Sequence, residues 1–163
     1  MEKECKNGLE ELKENYKKLQ EKYPLPNFKD LNENFDINKL SEIETDTLLR
    51  DIRKAVMDKI LAYLRFVELL LNPSEGSLFF FSLVKGLGSD DKKTAEGIFN
   101  ELGEIEIEAI SLDNIYSEKK EAEFIKEIHK KWQEIKEKVE SLSDSLKKGW
   151  KRKINQREKS YLG

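Results

Sequence analysis

Seven apolar residues, Ile125, Ile128, Trp132, Ile135, Val139, Leu142 and Leu146, recur at intervals of 3-4-3-4-3-4. Alternation of three and four follows the 3.6-residue turn of an α-helix and has no counterpart in a strand, whose side chains repeat every two residues. The segment is about three heptads long, and Ser117, with Glu118 and Glu121 in the following turn, marks its start. Gly149 and Trp150 mark its expected end.

The same pattern appears twice more. Leu9, Leu12, Tyr16, Leu19 and Tyr23 continue a 4-3-4-3-4 seam from Cys5, and Pro24 and Pro26 stop it. Proline lacks an amide donor and pushes its predecessor toward extended geometry. Leu49, Ile52, Val56, Ile60, Tyr63, Val67 and Leu70 form a second long stripe, widened by Leu48, Ala55, Leu64 and Leu71 and closed by Pro73. Ser41 and Glu44 form a capping-box pattern ahead of it, with Thr45 and Asp46 as alternative caps. The width predicts a central helix packed on two sides.

Between the first two stripes, Phe28, Leu31 and Phe35 predict a short helical connector packed under the bundle. Ser89-Asp90-Asp91 reads as the acidic first turn of a further helix carrying Ala95, Ile98, Phe99 and Leu102. In 105–110 isoleucines alternate with glutamates at a strand-like period. With no second strand to pair, the expectation is helix. Leu78-Phe79-Phe80-Phe81 and Leu83-Val84 are apolar all round, which predicts a short buried element, an interface being the other choice.

The fold class expected is therefore all-α: a single-domain helical bundle of three long helices and two or three short ones over residues 1–150, followed by a basic C-terminal tail over 151–163. A chain of 163 residues is long enough to bury roughly two-thirds of its unfolded surface. Apolar residues at 37% fill such a core, and charged residues at 39% exceed the usual quarter. That excess suits helices with one solvated face.

Chemistry is thinly represented. A di-metal carboxylate bundle needs paired Glu-x-x-His motifs, but the chain has one histidine, His129, with Lys126 three positions before it. A half-exposed imidazole beside the seam is its expected role. Glu101, Glu104 and Glu108 share a helix face that could hold a hard cation, although a solvated acidic face explains them equally well. Gly86-Leu87-Gly88-Ser89 before a helix start has the form of an anion loop but lacks the Gly-Lys-Ser/Thr ending of a P-loop. No nucleophile–base pair can be assembled, so no catalytic residue, cofactor or metal is expected and the reading leans against an enzyme.

Charge is the uneven feature. Lys147, Lys148, Lys151, Arg152, Lys153, Arg157 and Lys159 stand against Glu158 alone, a net of +6 that leaves −9 on the rest of a chain whose total is −3. With Trp150 and Tyr161 interleaved, this segment is the candidate polyanion-binding site. His129, Lys131, Lys136 and Lys138 flank the last seam and disfavour pairing with its own copy, while favouring an acidic helix in this chain or a partner.

The single Cys5 and an N-terminus without an apolar core lead to an expected cytoplasmic location. No stretch approaches the ~20 apolar residues of a membrane span, so no membrane partner is expected. The function expected is a non-enzymatic interaction or assembly module with a protein partner, oligomeric state open; the alternative is a nucleic-acid-binding protein using 147–159.

Tyr23-Pro24-Leu25-Pro26-Asn27-Phe28, then Leu31-Asn32 and Phe35, and a long helix ending Leu71-Asn72-Pro73, resemble an uncharacterised archaeal family of all-helical proteins of unknown function. The resemblance spans most of the chain. It implies an all-helical cytoplasmic fold and carries over no functional residues.

Overall fold

A computed structural model describes the backbone of residues 2–161 and the side chains of 8–155. The described residues form six α-helices and no strand: α1 (Glu2–Lys22), α2 (Phe28–Phe35), α3 (Leu48–Leu71), α4 (Leu78–Val84), α5 (Ser89–Asp113) and α6 (Glu118–Tyr161). Two 3-10 turns, Ile37–Glu42 and Pro73–Glu75, sit between them. The all-α class is as expected. The chain groups into two compact units, Met1–Ile60 with Ile105–Trp132, and Leu61–Glu104 with Gln133–Gly163.

In the first unit, α3 contributes Leu49, Ile52, Arg53, Ala55, Val56, Met57 and Ile60 to the interior. At about 100° per residue these positions cover roughly 200° of the helix, about twice the stripe of a surface helix, as expected of an element packed on two sides. The helix begins at Leu48, later than the Ser41–Glu44 pattern suggests, because 37–42 is used otherwise. That segment forms a 3-10 turn with Ile37 and Leu40 buried. It lies so close to α1 that a Cβ on Gly8 would meet the Ser41 carbonyl oxygen at 2.4 Å. Thr45 takes over at the start of α3: its Oγ1 accepts the Thr47 amide at 3.0 Å and donates to Asp51 at 2.6 Å.

Helix α2 starts at Asn27, whose Oδ1 accepts the Lys29 amide at 2.8 Å, a standard use of an Asx cap. It ends at Asp36, which takes the left-handed conformation (φ 54°, ψ 48°) and returns its amide to the Asn32 carbonyl. Its buried side chains are Leu31 and Phe35, and the Phe35 ring lies 5.1 Å from that of Trp132 on α6.

Tyr16 of α1 is fully buried, and its hydroxyl donates to the Pro26 carbonyl at 2.8 Å. Burial raises its pKa, because the phenolate would be charged without solvent. The unfolded chain therefore loses this proton near the ordinary value of 10.0 while the folded chain keeps it. The stability Tyr16 contributes is complete below that pH and is lost as pH rises above it. Chemical denaturation from pH 8 to 11 is expected to show a steeper alkaline loss in the native sequence than in Tyr16→Phe. Parallel curves would mean that the phenol is hydrated.

In the second unit, α3 buries Leu64, Val67 and Leu70, α5 buries Ala95, Ile98 and Leu102, and α6 buries Ile135, Val139, Leu142 and Leu146. Residues 105–110, which belong to the first unit, are helical, with Ile105 and Ala109 buried while Ile107 and Ile110 face solvent. The apparent strand alternation is thus a mixture of one buried helical stripe and two exposed isoleucines.

Two expectations are corrected here. The run Leu78–Val84 is a helix, but none of its residues is buried, so it is not a core element. Phe80, Leu83 and Val84 are half-buried, with the Phe80 ring 6.2 Å from that of Phe66. The last helix also does not end at Gly149 but continues to Tyr161. One glycine costs a helix only about 1 kcal/mol, and basic residues at a C-terminus are favoured by the helix dipole.

Candidate functional site

The second unit places the corrected apolar run beside part of the basic segment. Leu78 is 85% exposed, Phe79 51% and Phe81 47%. The Phe79 ring meets Trp150 of α6 edge-on at 5.3 Å, Lys153 lies over the Trp150 ring at 5.7 Å, and Lys85 lies over Phe81 at 4.7 Å. Each cation on a ring face is held by the ring quadrupole.

Two glycines make this approach feasible. A Cβ on Gly149 would lie 3.3 Å from the Gly86 carbonyl oxygen, and one on Gly86 would lie 3.3 Å from the Gly149 Cα. Backbone meets backbone where α4 ends, and any larger side chain at either position would push α4 from α6. Gly149, which reads in the sequence as a stop signal, serves here as a contact.

Of the seven basic residues singled out, Lys147, Lys148, Lys151 and Arg152 are exposed and Lys153 is half-buried, while the side chains of Arg157 and Lys159 lie outside the described residues. Helical geometry divides the described five. Taking Trp150 as reference, Lys147 and Lys153 lie about 60° to either side and Lys151 about 100° away, whereas Lys148 and Arg152 lie about 160° away. Ile154, 42% exposed, falls about 40° from Trp150 on the same side. The surface is thus an aromatic and aliphatic patch with Lys85, Lys147, Lys151 and Lys153 around it. Within this surface Lys147 pairs with Asp144 at 3.1 Å, and on the far side Arg152 donates back to the Lys148 carbonyl at 3.4 Å.

The other sequence candidates are dispersed or satisfied. Glu101 pairs with Lys138 of the basic flank of α6, while Lys131 and Lys136 are exposed. Glu104 and Glu108 are exposed. Among the described residues, no three of His, Cys, Asp and Glu gather where a metal ion could be held. His129 is half-buried, and its Nε2 has no hydrogen-bond partner. The Gly88 amide donates to Asp91 Oδ2 at 3.1 Å, which places a carboxylate where an anion would have to bind.

The first unit carries a feature that sequence reading missed. Arg53 and Glu121 are both buried; Arg53 donates through Nε to Glu121 Oε2 at 2.7 Å, through Nη2 to Asp113 Oδ1 at 2.5 Å, and through Nη1 to the Ala109 carbonyl at 3.4 Å. Burial works against the charged guanidinium, but hydrogen bonds to Asp113 and Glu121 outweigh it and raise its pKa. Arg50, stacked 4.9 Å from the Tyr116 ring, brings Nε to 3.6 Å from Glu121 Oε1, an ion-pair distance longer than a hydrogen bond. The sequence does hold a signal. Arg53 follows Leu49 by four and precedes Val56 by three, and Glu121 precedes Ile125 by four, so both sit on buried stripes.

An open groove of about 780 Å³ in the first unit is lined by Glu11, Glu42, Glu44, Asp46 and Glu118 against Lys18. The hydrogen bond from Lys22 holds the Glu118 carboxyl below its ordinary pKa against partial burial, with the Tyr23 hydroxyl assisting. Ser41, Thr45 and Tyr116 also line the groove, and the Thr45 hydroxyl is already bonded to Asp51 at 2.6 Å. Among the described residues no helix is long and apolar enough to cross a membrane. Comparison with protein-family models, with curated proteins and with solved structures yields no match.

Proposed function

We propose that this chain is a non-enzymatic interaction module, working in the cytoplasm, that docks an anionic partner through α4 and the Trp150 side of α6. The observation that carries the reading is α4: a seven-residue helix, apolar except for Ser82, with no buried residue. Exposed apolar surface rimmed by polar residues marks interaction sites on soluble proteins. The lysine rim selects the sign of the partner, and its attraction falls with salt. Nucleic acid is the second reading, supported by the interleaving of Trp150 with Lys147, Lys151 and Lys153, since bases stack on aromatic rings within basic frames.

The test is retention on immobilised heparin, a generic polyanion. The native chain is expected to be retained at low salt, and K147Q/K151Q/K153Q to elute earlier. A native chain that passes through unretained at low salt would remove the electrostatic basis of the reading.

A further inference from the structure

We infer that the partner is the surface of an anionic lipid bilayer, with α4 seated in its interface and Lys85, Lys147, Lys151 and Lys153 against the headgroups. The inference rests on the anionic-surface reading above and narrows it. It departs from the sequence expectation of no membrane partner, which considered spanning segments and took 78–84 for core.

Three observations favour a bilayer over nucleic acid. The most exposed side chain of the patch is Leu78, at 85%, an aliphatic group with no face to stack on a base. One face of Trp150 and one of Phe81 are already engaged, by Lys153 and by Lys85. Within α4, Ser82 is the only side chain able to hydrogen-bond a phosphate or a base edge. A phosphate-binding surface would place donors there.

The shape of the exposed patch gives a further argument. Leu78, Phe79 and Phe81 spread over about 160° of the helix circumference, too wide an arc for one flat contact. A fluid interface conforms to such an arc and takes up leucine and phenylalanine together. Tryptophan prefers the headgroup level, where its ring is apolar and its N–H is wet. Lysine stems lie along apolar surface while their ammonium groups reach the phosphates. The charge pattern also fits: α4 carries no acid, Lys85 follows it directly, and three lysines lie on the Trp150 side of α6. This is the composition of interfacial helices, which lie in the membrane plane instead of crossing it.

Two additive contributions follow. Each lysine near an anionic surface contributes roughly fivefold to the partition constant, so K147Q/K151Q/K153Q should lose about 100-fold. Replacing the three exposed apolar groups in L78S/F79S/F81S should lose at least about 100-fold by the usual transfer free energies.

The full chain is to be sedimented with phosphatidylglycerol vesicles and with phosphatidylcholine vesicles, and titrated in parallel against a fluorescent single-stranded oligonucleotide. Circular dichroism melts confirm that the variants stay folded, as expected of exposed positions. The inference predicts co-sedimentation with phosphatidylglycerol, little with phosphatidylcholine, and loss in both variants. It is overturned by absence of binding to phosphatidylglycerol, or by binding that L78S/F79S/F81S retains in full, since charge alone would then suffice. Oligonucleotide binding without vesicle binding also overturns it while leaving the anionic-surface reading intact; failure on heparin, vesicles and oligonucleotide together removes both.

Discussion

Replacing Glu121 by leucine lowers the unfolding free energy by roughly 3–5 kcal/mol, the cost of leaving one member of a buried ion pair uncompensated. Arg53 would keep its positive charge at 3% exposure with only Asp113, itself 62% exposed, and one backbone carbonyl as acceptors. The partner change Arg53→Met strands Glu121 in turn, at 1% exposure, beside Arg50 at 3.6 Å. The double variant Arg53→Met with Glu121→Leu behaves differently, because neither charge is then buried. Apolar replacements of both members are often neutral or stabilising, so the double variant should recover most of the loss. Asp113→Asn, at the exposed end of the network, should cost no more than about 1 kcal/mol. Urea unfolding of the four variants closes a double-mutant cycle. Equal and additive losses in the two single variants, without recovery in the double, would show that the two groups act independently and that water reaches them.

The same pair shows where sequence reading ends. Helical periodicity placed α1, α3 and α6 because seams of three and four are a property of one segment, readable without knowledge of any other. Pro24 and Pro73 fixed two of the ends for an equally local reason. Arg53 and Glu121, by contrast, lie 68 residues apart, and their pairing exists only once their helices adjoin. Each is visible as a charge on an apolar stripe, which says that a partner is needed without saying which.

The aromatic run failed differently. Apolarity on all sides of 78–84 was correct, but burial is decided by what surrounds a segment. A seven-residue helix joined through Gly86 to a close backbone contact at Gly149 can remain at the surface. The basic segment was legible as charge but not as geometry. Only the continuation of α6 past Gly149 assigns Lys147, Lys151 and Lys153 to the Trp150 side and Lys148 and Arg152 to the other. The candidate site therefore depends on two facts absent from any local pattern: an exposed α4, and a helix that does not stop at its glycine.

Phe35→Ala is expected to destabilise the first unit by about 3–5 kcal/mol, the usual range for truncating a buried aromatic. Phe35 is 2% exposed, and its ring lies against Trp132 at 5.1 Å and 49°, so the change removes transfer energy and an aromatic contact together. Helix α2 has eight residues, fewer than an isolated helix needs in water. Its helicity is therefore sustained by docking, through Leu31 and Phe35. Phe28 on the same helix is half-buried, touching Tyr16 edge-on at 5.4 Å, and Phe28→Ala should lose a smaller amount. Phe35→Leu, which keeps most of the volume, should fall between wild type and Phe35→Ala. Urea midpoints give the order, and amide exchange over 28–35 separates two mechanisms. Loss of protection confined to α2 would show local undocking, whereas protection lost across α1 and α3 as well would show that α2 is part of one cooperative core. Full burial of Leu31 and the left-handed close at Asp36 tie α2 to the turn that packs on α1, and on that ground the cooperative outcome is the one expected.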